Sequence, residues 1–186
     1  MADERERWDA RHTAAVASPL AAPDGFFLDA LAVLEGSPGT SALDLASGRG
    51  RHALELARRG HATEAWDVSP VALGALSQAA AARELRVVTR AVDLCDGLPE
   101  GIVAFDLVVV FDFLDRGLLA RLWRLVRPGG HALVSTFTTD RGGEHPSARW
   151  CLEPGELAAG LPGLESVLHR ERDGRAGLLA RRGEAG

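Results

Sequence analysis

The stretch Ser41-Ala42-Leu43-Asp44-Leu45-Ala46-Ser47-Gly48-Arg49-Gly50-Arg51-His52-Ala53 decides the fold. Ser41 to Ala46 reads as a short apolar strand. It runs into Ser47-Gly48-Arg49-Gly50, and a helix follows in which Leu54, Leu56 and Ala57 are apolar and Gly60 is the stop. Glycines at 48 and 50 let a backbone approach a ligand where a side chain would collide. The amides at the start of the next helix then point at that ligand. A strand, a glycine turn and a helix in this order form a ligand-binding unit at the carboxyl end of a parallel sheet.

Working downstream, the same alternation repeats. Ala62 to Asp67 is a second strand. Ser69-Pro70 supplies a cap and a first-turn proline for an Ala-rich helix over 70–84. Leu85 to Val92 is a third strand and Phe105 to Phe111 a fourth. Leu107 to Val110 is continuously apolar, as a strand covered on both faces must be. The spacing predicts a helix over 116–127, stopped by Pro128-Gly129-Gly130, and then a fifth strand from His131 to Phe137. Strands alternating with helices imply a parallel sheet with right-handed crossovers. The tail departs from that pattern. After a short helix near 154–160, Leu164 to Arg172 and Arg175 to Arg182 flank Asp173-Gly174, a hairpin signal.

Working upstream, residues 3–17 read as a weak helix, with Trp8 and Val16 its only large apolar residues. Asp24 is an N-cap for a second helix, in which Phe27, Leu31 and Leu34 share a face. Gly36-Ser37-Pro38-Gly39 ends it. The expectation is one domain over 1–186: N-terminal helices over 1–36, with a lid, and an α/β core over 40–182. The core is a three-layer α/β/α arrangement around a mostly parallel seven-stranded sheet with an antiparallel C-terminal hairpin.

Composition narrows the function. The net charge of −5 disfavours wrapping of a nucleic-acid backbone, which calls for a basic face. No apolar run approaches the ~20 residues that a membrane span needs. Cys95 and Cys151 are too few for a disulfide framework and match no metal spacing, so two free thiols and a cytoplasmic location are expected. Lys, Asn and Tyr are absent. Schiff-base chemistry, a Walker-type lysine and a Tyr–Lys hydride-transfer pair are thereby excluded.

Two ligands compete for the glycine unit. Gly48-Arg49-Gly50-Arg51-His52-Ala53 fits the dinucleotide pattern, with Asp67 at a suitable distance for a ribose contact. That reading makes the chain an NAD(P)-binding oxidoreductase, although nothing in it explains Asp93-Leu94. The other ligand is S-adenosylmethionine, whose ammonium gives a reason for a carboxylate at Asp44. Asp44 capping local backbone amides is the alternative. A third possibility is a non-catalytic domain that binds the cofactor or a partner.

The stretch Leu43-Asp44-Leu45-Ala46-Ser47-Gly48-Arg49-Gly50-Arg51 resembles motif I of class I S-adenosylmethionine-dependent methyltransferases, with Ala46 in place of its first glycine. Trp66-Asp67-Val68-Ser69 resembles the segment that carries the ribose-binding acidic residue. Asp93-Leu94 is similar to the pair that meets the adenine. Phe105 to Val110 and Arg127-Pro128-Gly129-Gly130 resemble the fourth-strand motif and the turn before strand five. Phe113 to Leu157 is similar to a small bacterial branch that includes tellurite-resistance and thiopurine-type enzymes. The resemblance implies a Rossmann-like fold and a cofactor site of Asp44, Ala46, Ser47, Gly48, Gly50, Asp67, Val68, Asp93, Leu94 and Phe111, with S-adenosyl-L-homocysteine as product.

Transfer from a sulfonium is a direct displacement, so alignment matters most and a base is needed only when the acceptor must lose a proton. The resemblance puts the acceptor beside Phe111 to Arg116, Thr136 to Arg149 and Trp8 to His12. Phe111-Asp112-Phe113-Leu114 stands where amino-methylating enzymes of nucleic acids carry Asn-Pro-Pro-Tyr or a similar motif, which argues against that subclass. Small size favours a small-molecule acceptor. Asp115, Arg116, His145 and His12 are the catalytic candidates: the histidines as bases, Arg116 as an anion holder. The sequence does not fix the oligomeric state.

Overall fold

In the computed structural model, residues 4–34, 40–142 and 146–184 are described. One seven-stranded sheet runs through them in the order β3-β2-β1-β4-β5-β7-β6. Its strands are β1 (Ser41–Leu45), β2 (Ala62–Asp67), β3 (Val87–Ala91), β4 (Phe105–Phe111), β5 (Val126–Phe137), β6 (Glu165–Arg172) and β7 (Arg175–Arg181). The first five pair in parallel; β7 runs antiparallel between β5 and β6. Asp173 and Gly174 turn the last hairpin with φ of 54° and 71°, a left-handed pair that matches the strand twist.

The apolar runs are continuous because both faces are covered. Ala42, Leu107, Val109, Leu133 and Leu179 pack under α2 (Gly25–Val33) through Phe26, Phe27, Ala30 and Leu31. Their sequence neighbours Leu43, Val108, Val110, Ala132, Val134 and Leu178 pack on the other face against Leu118, Leu119, Leu122 and Leu125. α3 (Arg51–Arg58) and α4 (Pro70–Ala81) extend the first layer, joined by Ala53, Leu54, Leu76 and Ala80. The result is the three-layer, Rossmann-like α/β/α arrangement. Its strand order reverses between β1 and β4, which opens a crevice at their carboxyl ends.

Several elements differ from the sequence reading. The helix expected over 116–127 is only α5 (Arg116–Leu119), followed by a 3-10 turn at Leu122–Arg124. Leu118, Leu119, Leu122 and Leu125 are buried at helical spacing, but β5 already begins at Val126, which pairs with Phe105. Pro128-Gly129-Gly130 therefore lies inside a strand irregularity and stops no helix. A side chain at Gly130 would meet the Asp106 carbonyl at 2.8 Å, which explains a glycine there. α4 ends at Ala81, short of 84, and the helix expected near 154–160 is a 3-10 turn at Leu157–Ala159. α1 spans Glu4–Ala15 and buries none of its residues. The expected stop at Gly36 to Gly39 lies outside the described residues. Among the described residues, no helix is long and apolar enough to cross a membrane.

Candidate functional site

The loop after β1 is built from left-handed residues: φ is 52° at Ala46, 52° at Gly48 and 79° at Gly50. For an alanine that conformation costs about 1–2 kcal/mol. Ala46 therefore keeps the glycine geometry of the motif at some cost in strain. The two glycines serve different needs. A Cβ at Gly50 would fall 2.2 Å from Leu76 of α4, so this glycine lets α3 and α4 approach each other. A Cβ at Gly48 would meet only the His12 ring, at 3.4 Å. Of the two, Gly48 is the one with open space for a ligand beside it.

Asp67 ends β2 and ties this loop down. Its Oδ2 accepts from the Gly48 amide at 2.7 Å and its Oδ1 from the Ser69 amide at 2.9 Å. The neighbouring Val68 is half-buried. Ser47 donates its amide to the Trp66 carbonyl, while its hydroxyl is buried with no partner among the described residues. A buried hydroxyl without a partner is a group that a polar ligand could satisfy.

Asp44 lies beneath the loop, 1% exposed, and its Oδ2 accepts from the Ala53 amide at 3.0 Å in the first turn of α3. Burial pushes its carboxyl up to about 7, against the pull of that amide. The backbone-capping alternative is thus realised at one oxygen, and a carboxylate poised near neutrality remains able to meet a ligand cation. Asp93 caps a 3-10 turn by accepting from the Cys95 amide, and Leu94 is buried beside it in the core. Phe111 is packed away: its ring is buried against His52 and Phe27, with centroids 4.3 and 5.9 Å apart, beneath α2. In this position it serves the core, because β4 turns that side chain towards the α2 layer.

α1 crosses this loop. Asp9 accepts from the Ser69 hydroxyl at 2.5 Å, and Arg49 donates to the Ala15 carbonyl and, at 2.8 Å, to that of Ser18. His12 stacks on Trp8 and faces Gly48; burial lowers its pKa, while Asp67 pulls the other way. His12 is therefore at the glycine loop, together with Asp67. Asp115 and Arg116 are elsewhere. Asp115 caps α5 through the Leu118 amide at 2.5 Å. Arg116 grips Glu156 with two nitrogens, at 2.7 and 2.8 Å, and donates a third bond to the Cys151 carbonyl. Both candidates are thus occupied in joining α5 to the C-terminal segment, which is the physical objection to a substrate role. His145 lies outside the described residues.

Two clusters escaped sequence reasoning. His52, 3% exposed, accepts from the Asp24 amide at 3.2 Å through Nε2, and burial holds its pKa down at about 3. Asp112 adopts φ of 56° just past β4 and bridges Arg51 and Arg175, at 2.8 and 2.6 Å. The members are 61 and 63 residues apart in pairs, so no local pattern announced them.

Residues 42–130 match the model of a methyltransferase domain family. No curated protein sequence matches the chain. Among solved structures, TehB from Haemophilus influenzae is similar at 20% identity and a TM-score of 0.74, covering 90% of this chain and 65% of that one. A structure on the conversion of a disulfide bond into a thioacetal group during echinomycin biosynthesis is similar at 22% identity and 0.74, covering 97% and 93%. Magnesium protoporphyrin IX methyltransferase (ChlM) from Synechocystis PCC 6803, with bound S-adenosylhomocysteine, is similar at 16% identity and 0.70, covering 96% and 97%. These likenesses establish the fold. The match over residues 42–130 marks a methyltransferase domain in this chain, whose methyl donor is S-adenosylmethionine. The loop fits that cofactor: Gly48 leaves room, the Ser47 hydroxyl lacks a partner, and Asp44 and Asp67 offer carboxylates.

Proposed function

We propose that this methyltransferase acts on a small-molecule acceptor by direct displacement, with no nucleic acid or membrane involved. The observation that carries the proposal is the loop itself: left-handed Gly48, an unpartnered Ser47 hydroxyl, and Asp67 at the β2 terminus. S-adenosylmethionine supplies a methyl group already activated on a sulfonium. Asp67 would hold the ribose hydroxyls, with Val68 beside them, Asp93 and Leu94 the adenine edge, and Asp44 the ammonium. Ala46, Ser47, Gly48 and Gly50 would shape the backbone cradle, and α1 would close over it as a lid within a single-domain chain. His12 touches that cradle and so orients the cofactor more directly than it serves the acceptor.

We assign no general base, since Asp115 is engaged as a cap and Phe111 and Arg116 are held in structural contacts. A nucleophile that is soft or already anionic needs none. A cytoplasmic location belongs to this proposal, resting on the free thiols of Cys95 and Cys151.

Calorimetric titration of wild type and Asp67→Ala with S-adenosylhomocysteine and with NADH tests the reading. The expected result is S-adenosylhomocysteine binding that weakens by about tenfold or more in the variant, since a hydrogen bond to a charged group is worth ~1.5–3 kcal/mol. Binding of NADH alone would overturn it.

A further inference from the structure

The Arg51–Asp112–Arg175 bridge is a costly arrangement for what it contributes as a strut. Asp112 is a non-glycine residue at φ 56°, and its two ion pairs are part-exposed, with side-chain exposures of 25% at Arg51, 39% at Asp112 and 27% at Arg175. Part-exposed pairs of that kind add little stability, and an aspartate in the left-handed region carries strain of its own. Each guanidinium gives Asp112 a single Nη2. No other hydrogen bond from either guanidinium is made among the described residues. Two forks built for bidentate capture are thus both used at one prong. Asp24 Oδ2 stands 3.6 Å from Arg175, beyond hydrogen-bond reach, while Asp24 Oδ1 accepts from the Phe26 amide.

Arg175 also lines a cleft of about 330 Å³ between the start of α2 and the β6–β7 hairpin, with Phe26, Ser135 and Gly177 on its walls. That volume suits one small molecule. Of the other charged groups along it, Arg170 and Asp29 neutralise each other at 2.7 Å, and Arg172 faces Asp173 at 3.9 Å. The guanidinium carbon of Arg175 lies 4.4 Å from the centroid of the Phe137 ring, a cation–π contact. Arg175 is linked to the glycine loop through Asp112 and Arg51, the residue that follows Gly50.

We infer that Arg175 anchors a carboxylate of the methyl acceptor in this cleft, and that Asp112 is the internal carboxylate the acceptor displaces. This rests on the methyl-transfer reading above. The acceptor is then a small organic acid, aromatic or of similar width, whose hydroxyl or thiol receives the methyl group. The nucleophile's lone pair forms the new bond to carbon, the sulfonium sulfur keeps the electron pair of the broken one, and the nucleophile's proton leaves to water.

The test uses the full chain with S-adenosylmethionine and matched pairs of acceptors: hydroxybenzoates and mercaptobenzoates against the corresponding benzamides, reading S-adenosylhomocysteine release. Turnover is expected on at least one acid, with kcat/KM about tenfold lower for its amide. Arg175→Gln should raise KM for the acid about tenfold, with a smaller effect on kcat, and leave KM for the amide in place. Arg175→Lys should recover part of the loss. Asp112→Asn, which removes the internal competitor, should lower KM for the acid, and thermal melts of all three variants check folding. Equal use of acids and amides, an unchanged KM in Arg175→Gln, or turnover of no acid by protein that binds S-adenosylhomocysteine would overturn the assignment. Failure to bind S-adenosylhomocysteine would instead sink the methyl-transfer reading beneath it.

Discussion

Asp44 and His52 are two buried titratable residues whose pH dependences oppose each other. Asp44 holds its proton up to about 7, against an ordinary 3.8. Between those values the folded chain keeps a proton that the unfolded chain has lost, so this group makes stability fall as pH rises, and the effect is complete above about 7. His52 refuses its proton down to about 3, against an ordinary 6.5. Below 6.5 the unfolded chain binds a proton that the folded one does not, so this group makes stability fall as pH drops. From 3.8 to 6.5 the two slopes cancel in large part. Each full proton is worth about 1.4 kcal/mol per pH unit. Asp44→Asn should leave the histidine slope alone, giving stability that rises with pH across that interval. His52→Gln, whose Oε1 can still accept from the Asp24 amide, should give the reverse. Urea unfolding at several pH values measures both, and two variants with the wild-type slope would refute the pairing. The position of Asp44 was legible in the sequence, since a carboxylate in an apolar strand demands a partner. The partner of His52 was not, because its stack with Phe27 and Phe111 joins three separate elements.

At the scale of elements, α5 shows what apolar spacing records and what it does not. Four buried leucines at helical spacing predict a long helix over 116–127, yet only four residues hold it. The pattern reports which side chains are buried; hydrogen bonding was decided by β5, which starts five residues early to pair Val126 with Phe105. Gly117, a poor helix former, sits inside the short helix as well. With so few internal bonds, α5 leans on its cap. Asp115→Ala should therefore destabilise the protein by about 1 kcal/mol, towards 2 at most, with S-adenosylhomocysteine affinity retained. Chemical denaturation of the variant checks this, and a large loss of affinity with little loss of stability would return Asp115 to the binding site. Elsewhere the boundaries were legible: Ala62–Asp67 and Phe105–Phe111 are strands with the limits that their alternation and apolar run imply. The glycine loop between β1 and α3 was legible too, because strand, glycines and helix are contiguous in the chain. Arg116 was not, because Glu156 lies forty residues away.

At the scale of the molecule, α1 is the one described α-helix with no buried residue. Its ties are polar: Asp9 to Ser69, Arg49 to Ala15 and Ser18, and His12 over Gly48. Every one of them lands on the cofactor loop or the start of α4. Such contacts hold a helix weakly while the loop is free to move, and better once a ligand fixes the loop. S-adenosylhomocysteine at about a hundred times its Kd should stabilise the folded chain by ~2.7 kcal/mol, a rise in Tm of roughly 5–10 °C for a chain of this size. The gain should be shared unevenly. Hydrogen exchange should show the amides of Glu4–Ala15 exchanging fast in the free protein and slowing on binding, while β4 is protected throughout. In Arg49→Ala, which cuts two of the ties, the slowing in α1 should disappear with the protection of β4 intact. If α1 were instead as protected as β4 without ligand, it would be a fixed part of the fold, and the lid would have to be sought elsewhere around the crevice between β1 and β4.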